Sequence, residues 1–158
     1  MTKNDQPRFV GIGLRPRTGK LLGGYALIAM HGWFVVKLTL PSQTGLVEPL
    51  VGFAALTGLV ASACFFLGTY GSLARASETT LDERELASRN RAYFSAFRYI
   101  VLMTFAGGII PDLLASFFNF ELSVGILQNF ILLMFATALV LPGFLLRGLR
   151  GSSETEGD

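Results

Sequence analysis

The sequence predicts an all-α integral membrane protein of four transmembrane helices, arranged as two hairpins with both termini in the cytoplasm. Three observations predict it. Of 158 residues, 51% are apolar and only 15% carry a formal charge, where a soluble domain carries roughly 25%. Four separate apolar runs reach about 20 residues, the length that crosses a roughly 30 Å hydrocarbon core at 1.5 Å per residue. Of the 13 basic residues, only Lys37 lies outside the three segments that four spans place on one side. Helices are the economical way through lipid, because any open backbone would leave amide groups unsatisfied there.

The N-terminal residues 1–20 read as a flexible basic arm carrying Lys3, Arg8, Arg15, Arg17 and Lys20. Such an arm gains up to about 1 kcal/mol per basic residue on an anionic lipid surface. The first span follows, Leu21 to Leu40. It is long for a signal-peptide core and ends at Leu40-Pro41-Ser42 without a small-x-small cleavage pattern, so it is expected to stay as a span. His31 lies ten residues into it, near mid-membrane, and Lys37 lies two turns further out.

The second span, Pro49 to Tyr70, starts with Glu48 and Pro49, an acid and a proline suited to a helix N-terminus. Ala54, Gly58 and Ser62 repeat at four-residue spacing and form a small-residue strip that admits another helix closely, from the same chain or from a second copy. Cys64, Gly68 and Ser72 continue that spacing on a neighbouring stripe. Cys64 is expected to be a small buried residue with no redox role.

Between the second and third spans lies the one sizeable polar segment, Gly71 to Arg98, with Arg75, Arg84, Arg89, Arg91 and Arg98. Thr80 and Glu83 have capping-box spacing, and Glu85 and Arg89 form an i,i+4 pair in the favourable order. A helix is therefore expected to start at Leu81 and, meeting no Gly or Pro before Gly107, to run into the third span, Tyr99 to Phe120. Arg84, Glu85, Arg89 and Arg91 are its candidate docking residues. An interfacial anchor, with Tyr93, Phe94, Phe97 and Tyr99 at headgroup level, is the other reading.

Within the third span, Gly107, Gly108 and Pro111 predict a kink, since proline removes a donor and crowds the carbonyl of Gly107. Asp112 follows at a depth comparable to His31. His31, Lys37 and Asp112 are the intramembrane polar candidates. A His31–Asp112 pair that holds helix register, with Lys37 as a competing partner, stands beside a proton relay or ligand site using the same residues. The fourth span, Ser123 to Leu146, carries Gln128 and Asn129 near its start. With Asn119 and Glu121 they make the outer half of the last two spans more polar, as would suit a shallow outward cavity. Arg147 and Arg150 follow, and residues 147–158 read as an acidic disordered tail. Basic residues flank only one side of the spans, and the positive-inside rule makes that side the cytoplasm.

Several functions are excluded or disfavoured. The 18 glycines have no fixed period, so the chain is not collagen-like. One Cys and one His build neither a disulfide framework nor a metal cluster within one chain. A net charge of +2 gives no reason to expect direct nucleic-acid binding. Gly13 to Lys20 fails as a phosphate-binding loop, because five residues separate the glycines and Leu21 stands where Ser or Thr would hold Mg²⁺. No catalytic triad or zinc motif assembles around a single intramembrane His, so no enzyme is expected. No cofactor is expected from this chain alone, though lipid, or a haem or pigment shared with a partner chain, fits the pattern.

Leu81-Asp82-Glu83-Arg84-Glu85 followed by Arg89-Asn90-Arg91-Ala92-Tyr93 resembles the L-D-E-R-E…R-x-R-A-Y stretch of small uncharacterised bacterial inner-membrane proteins. The likeness covers this segment and the start of the third span. It implies a bacterial cytoplasmic-membrane protein of two helical hairpins with no assigned activity, and a cytosolic regulator among its partners. The expected function is an accessory or scaffold subunit that contacts the bilayer, other membrane subunits or a second copy of itself. A small transporter, channel or proton-conducting bundle is the alternative.

Overall fold

The computed structural model describes residues 16–40, 45–68, 74, 81–118 and 123–155. Among them the structure is helical, with no β-strand, and four helices are long and apolar enough to cross a membrane. Helix α1 is Pro16–Thr39, α2 is Val47–Leu67 and α3 is Glu83–Thr104. A π-helical turn, Phe105–Ile109, joins α3 to the nine-residue α4, Ile110–Phe118, and α5 is Val124–Thr155.

The apolar runs locate the helices, but several ends differ from expectation, among them the start of α2, which lies at Val47 rather than Pro49. Helix α1 starts at Pro16, so residues 16–20 belong to the helix and not to a flexible arm. A proline at the first helical position loses nothing, since its missing N–H would have no partner there. Helix α2 ends at Leu67, where Gly68 turns extended and its N–H reaches Phe65 O at 3.1 Å. Helix α3 starts two residues later than expected: Asp82 is the cap, and its carboxylate accepts from the Glu85 N–H at 2.6 Å. Thr80 lies outside the described residues. Helix α5 runs on to Thr155, through most of the stretch expected as a disordered tail.

Helices α1, α2 and α5 pack mutually, while α3 joins the bundle through α5. One core layer gathers Met30, Trp33, Ala55, Leu133 and Ala136, and the next gathers Ala26, Ala61, Phe65 and Val140. A third, Ala74, Ala92 and Leu146, fixes α3 against α5, and the Tyr93 hydroxyl donates to Ala74 O at 3.1 Å.

Small residues decide how closely α1 and α2 approach. A Cβ on Gly58 would lie 3.1 Å from Met30 Sδ and 3.2 Å from Ala29 Cβ. Next to it, the buried Ser62 hydroxyl donates to Gly58 O at 2.8 Å and leaves no polar hydrogen facing the neighbouring helix. Half-buried Ala54 completes the strip, which thus receives α1 of the same chain. On the opposing helix, a Cβ at Gly23 would lie 2.8 Å from Phe65 and 2.9 Å from Phe144, so rings from α2 and α5 both press on that glycine. Cys64 corrects the expectation of burial: it is exposed, because Ala61, Ser62 and Phe65 take the inward face of α2. Thr57 donates its single hydroxyl proton to Phe53 O at 2.9 Å, so the Tyr25 hydroxyl, 2.6 Å away, donates to Thr57 Oγ1 and ties α1 to α2.

The break expected around Gly107 and Pro111 takes the form of the π turn. The Ile110 N–H bonds to Phe105 O, one residue further back than in an α-helix, a register that absorbs the donor missing at Pro111. Gly107 has a second reason to lack a side chain. A Cβ there would overlap the Phe130 ring of α5, which also packs on Phe34 of α1 at 5.7 Å between centroids.

Candidate functional site

Polar side chains within these apolar helices are few, and both ring nitrogens of His31 are engaged. Its Nδ1 lies 2.8 Å from Leu27 O, one turn back on α1, and its Nε2 lies 2.8 Å from Tyr99 Oη on α3. A carbonyl only accepts, so Nδ1 carries the proton. In the neutral ring Nε2 is then an acceptor, and the Tyr99 hydroxyl donates to it. The rings lie 6.1 Å apart at 59°. The arrangement can respond to a proton: if Nε2 gains one, it donates to Tyr99, and the tyrosine hydroxyl hydrogen turns to a new acceptor.

The pair borders a groove of about 320 Å³ whose other walls are Leu27 and Ile28 of α1 and Leu141 of α5. Tyr99 was legible only as an interfacial aromatic. The signal that could have found it is its register, seven residues or about two helical turns after buried Ala92 and three after buried Ala96, on the inward face of α3.

The remaining candidates are dispersed. Half-buried Lys37 stands in the last turn of α1, where its charge suits the negative end of the helix dipole. Asp112 belongs to α4, and its side chain lies outside the described residues. The ring nitrogens of His31 meet Leu27 and Tyr99. Of the docking candidates, Arg84 and Arg91 are exposed and Glu85 is half-buried, but Arg89 is buried at 9% exposure and belongs to the packing of α3. Nearby, the Arg98 guanidinium lies over the Phe94 ring, 5.9 Å from its centroid.

At the opposite end of the bundle, a cleft of about 470 Å³ opens between the π turn and the start of α5, lined by Gly107, Gly108, Ile109, Val124, Leu127 and Phe130 among others. The side chains that line it are apolar, and its polar surface comes from the backbone. Gln128 and Asn129 are not among them, and Asn119 and Glu121 lie outside the described residues. Pro142, unremarked in the sequence, is buried within α5 without ending it. Among the described residues no three His, Cys, Asp or Glu side chains gather closely enough to hold a metal ion.

The chain matches no protein-family model, and no curated protein or solved structure is recognisably similar to it.

Proposed function

We propose that the chain is a non-enzymatic, multi-pass protein of the bacterial cytoplasmic membrane, with both termini in the cytoplasm. In this reading it serves as an accessory or scaffold subunit for other membrane or cytosolic proteins. One observation carries it: in the apolar stretch of Glu83–Ile109 only 11% of the residues are buried within the chain, against 22% in Arg17–Thr39 and 28% in Val47–Leu67 and in Val124–Gly148. Its exposed face bears Phe94, Phe97, Val101, Leu102 and Phe105. The 22 residues of α3 alone extend about 33 Å, and the π turn and α4 lengthen the arm beyond a roughly 30 Å core. The charged first turns of α3 then stand clear of the bilayer. Exposed Arg84 and Arg91 favour an acidic surface on the partner, whose own membrane helix lies along the phenylalanine face.

Extraction in mild detergent tests the proposal. The chain is expected to co-purify with a larger partner that Arg84→Glu and Phe97→Ala release. Purification as a lone species, unaltered by either change, counts against it. Resistance to alkaline carbonate extraction and reporter fusions at both ends test insertion and orientation separately.

The His31–Tyr99 bond favours a second reading, a small proton-conducting bundle using His31, Lys37 and Asp112, because an intramembrane histidine with a hydroxyl partner is the elementary unit of a relay. Reconstituted liposomes should then show a proton flux that Asp112→Asn and His31→Gln each abolish. An unchanged flux removes the residues on which this reading depends.

A further inference from the structure

The π turn carries the third span past Pro111, and the carbonyls it passes over are left with too few donors. The Ile110 N–H bonds to Phe105 O and so is lost to Ala106 O, its partner in an α-helix. Pro111, next in line, has no N–H to give. The Leu113 N–H belongs to Ile109 O once the α register resumes at Ile110. Ala106, Gly107 and Gly108 therefore share a single donor in register, the Asp112 N–H. No side chain among the described residues donates to any of the three. At least one of the two glycine carbonyls is thus left without a hydrogen bond of its own.

Both glycines line the cleft of about 470 Å³ between the π turn and α5, and having no side chains they present only backbone to it. Across from them stand Val124, Leu127 and Phe130, all apolar. The Phe130 ring also packs on Phe34, which lies about 8 Å short of the end of α1 at Thr39. The cleft therefore opens within the apolar depth of the spans. Acyl chains have no donor to offer a carbonyl there, and an unpaired carbonyl in hydrocarbon is costly. The volume suits a small molecule, and small-molecule sites combine apolar walls with a few polar groups that fix orientation.

We infer that this cleft binds one lipid-soluble phenol, the class to which quinols belong, with its hydroxyl donating to the unpaired glycine carbonyl and its ring against Phe130. The inference rests on the membrane reading above, since in water the carbonyl would be hydrated. An ether or hydrocarbon of the same shape fills the space between the apolar walls but leaves the carbonyl without a donor. An oxidised quinone, whose oxygens only accept, does the same. A phenol satisfies both parts of the cleft, and its ring gains an aromatic partner in Phe130.

Binding of naphthol and of its methyl ether, which lacks the donor, to the full chain in lipid nanodiscs tests it, each corrected for partition into empty nanodiscs. Naphthol is expected to bind about tenfold more tightly, the effect of one hydrogen bond to an otherwise unpaired group. Naphthol, but not the ether, should also move the carbonyl carbon resonance of Gly107 or Gly108. Pro111→Ala supplies the missing N–H and should remove most of the preference for naphthol. Leu127→Trp narrows the cleft and should weaken both probes. Each variant is first matched to the parent in helix content. Equal affinity of the parent for the two probes, or glycine carbonyl resonances indifferent to naphthol, overturns the site. Carbonyl resonances that shift on exchange into heavy water and ignore naphthol assign the donor to water and overturn it as well. Full preference kept in Pro111→Ala overturns the missing donor as its cause. Failure of the membrane reading shows itself differently, as release of the chain from vesicles by alkaline carbonate.

Discussion

The Tyr99 hydroxyl of α3 donates to His31 Nε2 of α1 at 2.8 Å, while the other ring nitrogen is held by Leu27 O. This bond links α1 to α3, the helix that otherwise joins the bundle through α5. Tyr99→Phe leaves Nε2 without its donor and should destabilise the chain by about 0.6 to 2 kcal/mol. A double-mutant cycle with His31→Ala, read from denaturation in detergent, should return a coupling of about 1 kcal/mol. Additive single effects would mean that the contact contributes no stability of its own.

Glycines in this bundle divide by what a methyl group would meet. Gly107→Ala drives a Cβ into the Phe130 ring and should cost about 1 to 3 kcal/mol. Adding Phe130→Leu should recover part of the loss. Gly32 and Gly52 face open space, so Ala at either should be neutral or stabilising by up to about 1 kcal/mol through helix propensity. Unfolding midpoints of the four variants provide the comparison, and equal losses at Gly107 and Gly32 would show that Phe130 is not the cause.

Gly58→Leu tests the α1–α2 crossing. Ala29 Cβ and Met30 already stand 3.1 to 3.3 Å from where a Cβ would sit; Met30 can give way to a methyl group, but not to an isobutyl one. Gly58→Ala is expected to be mild. Gly58→Leu should separate the helices, seen as weaker crosslinking between cysteines placed across the crossing in a Cys64→Ser background.

Asp82 caps α3, so Asp82→Ala should cost about 1 kcal/mol, while Asp82→Asn should keep most of the cap. Hydrogen exchange at the Glu85 amide reads the effect directly. Thr80→Ala should leave that amide's protection unchanged, since the bond belongs to Asp82.

Thr137 is buried on α5, and its hydroxyl has no hydrogen-bond partner among the described residues. Removing an unsatisfied buried polar group of the same shape relieves a desolvation cost of about 1 to 3 kcal/mol. Thr137→Val should therefore raise stability in detergent; a marked loss would mean that the hydroxyl has a partner such as bound water.

The limits of local pattern are plain at the start of α3. Thr80 with Glu83 and Asp82 with Glu85 both satisfy capping-box spacing, two residues apart. The structure uses Asp82, in a segment where Ala74 is held by Tyr93 and packed with Ala92 and Leu146. The interruption at Gly107 and Pro111 was readable because its cause, a missing donor, is local. Its π register also depends on Phe130, which no neighbouring residue announces. The burial of Arg89 and the exposure of Cys64 have the same origin: a charge in a polar stretch and a small residue in an apolar one say nothing of which way their helix faces turn.

Length, hydropathy and the positions of its charges determined by themselves that this chain forms four helices long and apolar enough to cross a membrane, because those properties belong to each segment alone. They also set the depth of His31 along its helix. Which helices neighbour one another, and so whether His31 meets Asp112, Lys37 or Tyr99, was decided only by the tertiary structure. Rise per residue is the same for every α-helix, whereas the rotation of each helix about its axis follows from where Gly23, Gly58 and Gly107 admit the rings and side chains of their neighbours.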